Sequence, residues 1–190
     1  MKYEATLRKL MSEQSLNRLA ALNNEKVNEF VGFFAEHCQP DSIYVCTDSE
    51  EDMQYVREMS LKLGEEHPLK NSKQTIHWDS YNDQGRDKNA TKYMVYKENF
   101  EKMKSFNSVE YEDGLNEILG IAKGIMKGKQ AVVLFFAEGP TESPFTIPCV
   151  QFTDSWYVAH SEYILYRSAY KHFLNMKESE KSEFFRFIHS

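Results

Sequence analysis

Seven consecutive apolar residues, Ala131 to Ala137 (AVVLFFA), form the longest hydrophobic run in the chain. The run is far short of the ~20 residues that a membrane-spanning helix needs. It reads as a buried strand. Other strand-like segments are Ser42–Cys46, Thr75–Trp78, Thr91–Tyr96 and Cys149–Thr153. Helical patterns alternate with them, which predicts an α/β or α+β fold with a mixed sheet flanked by helices.

The helical segments carry their own punctuation. Asn24 is placed to cap a helix whose apolar face is Val27, Phe30, Val31, Phe34 and Cys38, and Gln39-Pro40-Asp41 stops it. Ser49 precedes Glu50, Glu51 and Asp52, a capped start with acids on the positive helix end. Met53, Val56, Ser60 and Leu63 give that helix an inner face, and Gly64 ends it. A short helix is expected over Glu98–Lys104, and an amphipathic one over Gly114–Lys127 closed by Gly128. Ser155 opens a long aromatic helix reaching about Asn175, and Phe184, Phe187 and Ile188 mark a last helix. Residues 1–22 read as a helical N-terminal arm and 23–190 as one lobe. The chain stops at Ser190 with no polar tail, the pattern expected of a piece of something longer.

Composition narrows the function classes. With a net charge of −6, nucleic acid and anionic membrane are not expected partners. An anionic ligand would need a local positive site. Met1 to Leu16 is polar and charged, with no secretory core segment. The cysteines, Cys38, Cys46 and Cys149, are three in number and lack C-x-x-C spacing, which fits free thiols in a reduced, cytoplasmic setting.

Several side chains could carry chemistry. Arg86 lies in the polar stretch Asp83-Gln84-Gly85-Arg86-Asp87-Lys88 between two strands. A guanidinium there can hold a carboxylate through two parallel hydrogen bonds, and Gly85 permits close backbone approach. The plainer reading is a surface arginine paired with Asp83 or Asp87. Gly124 to Gln130 imitates a phosphate-binding loop but has the wrong glycine spacing, and Gln130 stands where a magnesium-binding hydroxyl belongs. The two prolines of Gly139-Pro140-Thr141-Glu142-Ser143-Pro144 leave few backbone donors, so this loop reads as structural. His77 with Asp79, two residues apart, does not make a metal site, and His160 and His172 are too far apart to share one. Cys46, near a helix start, reads as a buried thiol rather than a reactive one. Tyr163, Tyr166, Tyr170 and Phe173 fall at helical spacing, as a packing stripe would. Arg167 could pair with Glu162 or Glu178.

Three segments together resemble a known family. They are Gly139–Arg167 (with Gly-Pro, Ser-Pro and Thr-Asp-Ser-x-Tyr-Val in that order), Pro40-Asp41-Ser42-Ile43 through Asp48-Ser49-Glu50-Glu51, and the closing Phe-x-x-Phe-Ile-His-Ser. Similar phrases occur in the same order in the N-terminal domain of phosphoenolpyruvate carboxykinases of the GTP-type and pyrophosphate-type lineage. The resemblance spans residues 24–190. It implies a substrate-binding lobe in which Arg86, with Gly85, contacts the carboxylate of oxaloacetate or phosphoenolpyruvate. The full enzymes interconvert oxaloacetate and a phosphate donor with phosphoenolpyruvate and CO2. They use Mn2+ and Mg2+, held with the donor loop in a C-terminal lobe. No catalytic residue and no metal ligand is therefore expected in this chain. Its implied partners are the substrate and the C-terminal lobe, and an exposed docking patch could drive self-association. The chain departs from the GTP-type Arg-Thr-Asp-Pro-x-Asp-Val-Ala-Arg pattern, which slightly favours the pyrophosphate type. The alternative is a non-catalytic stand-alone relative that binds or regulates a complete carboxykinase.

Overall fold

The computed structural model describes residues 2–71, 73–78, 91–141 and 143–190. In chain order the elements are α1 (Glu4–Leu10), α2 (Glu13–Ala21), α3 (Glu25–Cys38), β1 (Ser42–Val45), α4 (Glu50–Lys62), β2 (His67–Pro68) and β3 (Thr75–Ile76). Next come β4 (Tyr93–Val95), α5 (Lys97–Phe100), a 3-10 turn at Glu101–Met103, β5 (Ser108–Glu110) and α6 (Tyr111–Ala122). The chain continues through β6 (Gln130–Glu138), β7 (Ile147–Thr153), α7 (Trp156–Leu165), β8 (Arg167–Ser168), α8 (Tyr170–Leu174), a 3-10 turn at Glu178–Glu180 and β9 (Phe185–His189). Two compact units result, one of Met1–His77 with Gly124–Ser190 and one of Trp78–Lys123.

The first unit is built on a sheet of order β1-β6-β7-β9, with β8 also on β6. Strands β1 and β6 are parallel, β6 and β7 antiparallel, and β7 and β9 parallel. The run 131–137 is the centre of β6, and every residue in it is buried. Alternation along β6 explains why. Val132 and Leu134 join Val56, Trp156 and Ala159 in one cluster, so α4 and α7 cover that face. Phe135 points the other way, its ring 5.5 Å from Tyr170 and 5.1 Å from Phe173, while Phe34 of α3 lies 6.5 Å from Phe152. The sheet is thus mixed and flanked by helices, as the alternating pattern predicts. Leu7, Met11, Leu19 and Leu22 of the N-terminal stretch are buried in the same unit. Gly32 allows this: a Cβ there would lie 2.3 Å from that of Tyr3, so α3 offers the start of α1 a notch.

The caps fall where the sequence puts them. Asn24, Ser49 and Ser155 each accept a backbone N–H from the first turn of their helices. Gln39 ends α3 in the left-handed region at φ 56°.

Four expectations need correction. The long helix from Ser155 is α7, a two-residue strand and α8. Past the end of β1, the outer edge of β6 is open, and Arg167-Ser168 fills it opposite Ala137 and Phe136. Ala169 N–H then bonds Phe135 O, and the Asp48 carboxylate receives the N–H groups of Tyr170 and Lys171 at 2.8 and 2.7 Å. Buried backbone groups must find partners, and these distant ones outweigh helical continuity. The last helix is β9, because the free edge of β7 takes the alternating Phe-Arg-Phe-Ile-His segment as a strand. The helix placed at 114–127 begins at Tyr111 and ends at Ala122. Beyond it Gly124 has φ +67°, and the N–H groups of Gly124 and Met126 bond His37 O and Cys38 O at the end of α3. Leu63, expected on an inner face, is 55% exposed.

The second unit is smaller. Strands β4 and β5 are parallel, and α6 packs on them. Gly114 makes that packing close: a Cβ there would come within 2.7 Å of both Met94 and Val109. Tyr96 stacks on Tyr111 with centroids 4.7 Å apart, and Lys92 Nζ meets Glu117 at 2.9 Å.

Candidate functional site

Gly85 and Arg86 lie in 79–90, outside the described residues, as does Asp79. The strand leading toward them, β3, is firmly held within the first unit. Thr75 Oγ1 donates to Glu66 Oε1 at 2.6 Å, and Ser60 Oγ donates to Glu66 Oε2 at 2.5 Å. His160 Nδ1 of α7 lies 2.7 Å from the same Oε2. Burial alone would raise the Glu66 carboxyl, but the bonds from Ser60, Thr75 and His160 outweigh it and hold it below the usual range. Neighbouring Glu65 accepts Ser155 Oγ at 2.9 Å and the Tyr157 N–H at 2.8 Å, at the start of α7. His77 stacks on Tyr157 at 3.5 Å and its Nδ1 lies 2.6 Å from Glu65 O. His77 and His160 are therefore parts of an anchoring network, and His160 does not meet His172 in a metal site.

A second network stands at the end of β1. The carboxylate of Asp52, 1% exposed, accepts from Arg18 Nη1 at 3.0 Å, Tyr44 OH at 2.5 Å and Thr47 N–H at 2.7 Å. Burial opposes the charge, yet these donors leave the group more acidic than an ordinary aspartate. Tyr170 OH donates to Arg18 O at 2.6 Å, so the N-terminal stretch, β1 and α8 are tied at one point.

The family-like motifs prove to touch each other. Lys129 Nζ meets Asp154 Oδ2 at 2.7 Å, and Ser190 Oγ donates to the same oxygen at 3.0 Å. Thr153 Oγ1 lies 3.3 Å from His189 Nδ1 and accepts the Ser155 N–H at 3.0 Å. The Thr-Asp-Ser turn and the closing His-Ser thus form one polar knot. In the Gly-Pro loop, Gly139 has φ +75°, and Thr146 Oγ1 donates to Pro140 O at 2.6 Å. Such a bond within the loop fits the structural reading given to it.

Glu162 of α7 has a buried Oε2 with no hydrogen-bond partner among the described residues, so its expected pairing with Arg167 does not satisfy that oxygen. Burial, and then the charge of Glu138, push its carboxyl up to about 7. Only the aromatic surroundings hinted at this, because Glu162 follows a run of large side chains. The thiols of Cys38, Cys46 and Cys149 are buried, and burial pushes them up to about 11, 12 and 12. They are packing residues, as read for Cys46.

Among the described residues, no three His, Cys, Asp or Glu side chains converge as a metal would require. No helix among the described residues is long and apolar enough to cross a membrane.

Residues 29–190 match the family model of the phosphoenolpyruvate carboxykinase N-terminal domain. The chain is 46% identical over 184 residues to phosphoenolpyruvate carboxykinase (GTP) of Pyrococcus horikoshii, covering 97% of this chain and 29% of that protein. The like-named proteins of Thermococcus kodakarensis and Saccharolobus solfataricus are 45% and 38% identical, with the same coverage. The chain therefore spans under a third of the length of the relatives it matches. The family match over residues 29–190 and the similarity over 97% of the chain show that the chain belongs to the phosphoenolpyruvate carboxykinase family and corresponds to its N-terminal domain.

Proposed function

We propose that the chain is the oxaloacetate- and phosphoenolpyruvate-binding part of a carboxykinase, with Arg86 gripping the substrate carboxylate beside Gly85. The similarity over 97% of the chain carries this reading. The geometry supports it indirectly. The Glu65–Glu66 network fixes the strand that leads into the Arg86 segment, and a ligand arm needs a rigid base. GTP is the phosphate donor we assign, in place of pyrophosphate, because the relatives bear that nucleotide in their names. Mn2+ and Mg2+ belong, in this reading, to the part of the enzyme outside these 190 residues, and the site of action is the cytoplasm.

The chain's own contribution is to bind and orient. A bidentate guanidinium–carboxylate pair holds the substrate plane, leaving the reacting carboxyl to groups supplied by the other lobe. That lobe also needs a surface to dock on. Phe185 and Phe187 stand on one face of β9, with Ile147 on the adjoining strand, and they are 61%, 39% and 41% exposed. We assign this apolar strip to the docking of the C-terminal lobe.

The test is Arg86→Ala in a polypeptide that carries both lobes. Removing a charge-assisted contact made in the transition state should lower kcat/KM for oxaloacetate by about 10²–10³. The isolated chain should show no turnover. An unchanged kcat/KM in the variant would sink the assignment.

A further inference from the structure

A cleft of about 340 Å³ opens on the sheet face opposite α4 and α7, where the start of the chain, α3 and β9 meet. Its charge runs against that of the whole protein. The chain carries −6, yet Lys2, Lys26 and Arg186 converge here from three separate elements, with Glu29 as the acid among them. Lys26 Nζ already holds Glu29 Oε2 at 2.8 Å, so this acid is neutralised. Lys2 and Arg186 then leave the cleft positive. Arg186 is steadied by its guanidinium lying 4.2 Å from the centre of the Phe184 ring, and one N–H reaches Phe184 O at 3.4 Å. Arg186 is otherwise exposed, and a guanidinium carries five N–H donors in all.

The other wall is aromatic. Phe33, 36% exposed, stacks on His37 with rings 7° from parallel and sits edge-on to Phe34 at 5.0 Å. Tyr3 closes the end of the cleft, seated on Gly32, where no side chain other than glycine's leaves room for it. A flat apolar wall beside cations is what an aromatic ring bearing a negative group requires, and Lys2 Nζ lies 5.1 Å from the centre of the Tyr3 ring. The volume lies at the small end of the range for small-ligand sites.

We propose that this cleft binds a small aromatic anion of the class of a nucleoside monophosphate, with the phosphate on Lys2 and Arg186 and the ring on Phe33. The site is separate from the Arg86 segment and stands or falls independently of the carboxykinase reading. The test uses the 190-residue chain, titrated by calorimetry with AMP, with adenosine and with inorganic phosphate. AMP should saturate at or below the millimolar range, and either fragment should bind at least about tenfold more weakly. Arg186→Glu should weaken AMP by about tenfold or more, with circular dichroism unchanged. Should that variant fail to fold, Lys2→Glu at the exposed chain start carries the same expectation. No saturation by about 10 mM AMP overturns the proposal. So does equal AMP binding by the folded charge-reversal variant. Inorganic phosphate binding as well as AMP removes the role of Phe33, and adenosine binding as well removes that of the cations; either result overturns the assigned ligand class.

Discussion

Replacing Glu162 with glutamine should stabilise the protein at pH 8 and do little at pH 5. Its Oε2 is buried without a partner among the described residues, and its carboxyl is displaced from 4.5 to about 7. In the folded protein the group keeps its proton until about pH 7, whereas the unfolded chain releases it near 4.5. The native state therefore binds more protons across that window, and stability falls as pH rises through it. The penalty is absent below 4.5 and complete above 7. One unit is worth about 1.4 kcal/mol, so the full displacement corresponds to about 3.4 kcal/mol. Partial solvent access of the side chain screens this, and about 1–2 kcal/mol is the expected gain. Glutamine keeps the shape of the protonated acid and never ionises. With a urea m-value of about 2 kcal/mol/M, the Glu162→Gln midpoint should rise by roughly 0.5–1 M at pH 8. Groups such as Asp52 and Glu66 titrate alike in both proteins and cancel from the difference. A shift of the same size at pH 5 and pH 8, or a loss of stability at pH 8, would refute the reasoning.

Asp52→Ala should cost about 3–5 kcal/mol in chemical denaturation, since it strips the half-buried Arg18 and Tyr44 of their shared buried acceptor. Native-state alkylation of Cys38, Cys46 and Cys149 by iodoacetamide at pH 8 should run at least about 10²-fold slower than in urea, because burial keeps the thiols protonated; labelling at equal rates would contradict their burial. The exposed Phe185–Phe187 strip should make the isolated chain self-associate, with sedimentation coefficients that rise with concentration. Phe187→Glu should lower that dependence without changing the circular dichroism, and a wild-type chain that stays monomeric throughout counts against the docking strip.

Local chemistry was legible in the sequence where its causes are local. Asn24, Ser49 and Ser155 announce their helices because a cap acts on residues two or three positions away. The run 131–137 announces its strand because both faces of β6 are covered. The break after Leu165 was not legible: its cause is Asp48, more than a hundred residues earlier in the chain, together with a β6 edge left open where β1 ends. The same holds for β9, whose Phe-Arg-Phe-Ile-His alternation became a strand only because β7 had an edge to offer. For the candidate site, Arg86 was legible as a motif resemblance and lies outside the described residues. The burial of Glu162 could not be read, because it follows from how α7 sits over the end of β6. The polar knot of Thr153, Asp154, His189 and Ser190 was visible only as two family phrases, and proximity gave them a common purpose.

The first unit is assembled from two stretches of chain with 46 residues, 78–123, between them. This interruption has a consequence for synthesis and for change over time. Strand β1 emerges from the ribosome long before its partner β6, so α3 and β1 must wait with their apolar faces uncovered until more than eighty further residues are made. The entropy of closing such a loop grows only with the logarithm of its length, about 0.6 kcal/mol for each doubling. The intervening segment, which contains Gly85 and Arg86, can therefore lengthen, shorten or exchange its residues at little cost to the sheet. This segment and the sheet scaffold are thereby free to diversify at different rates.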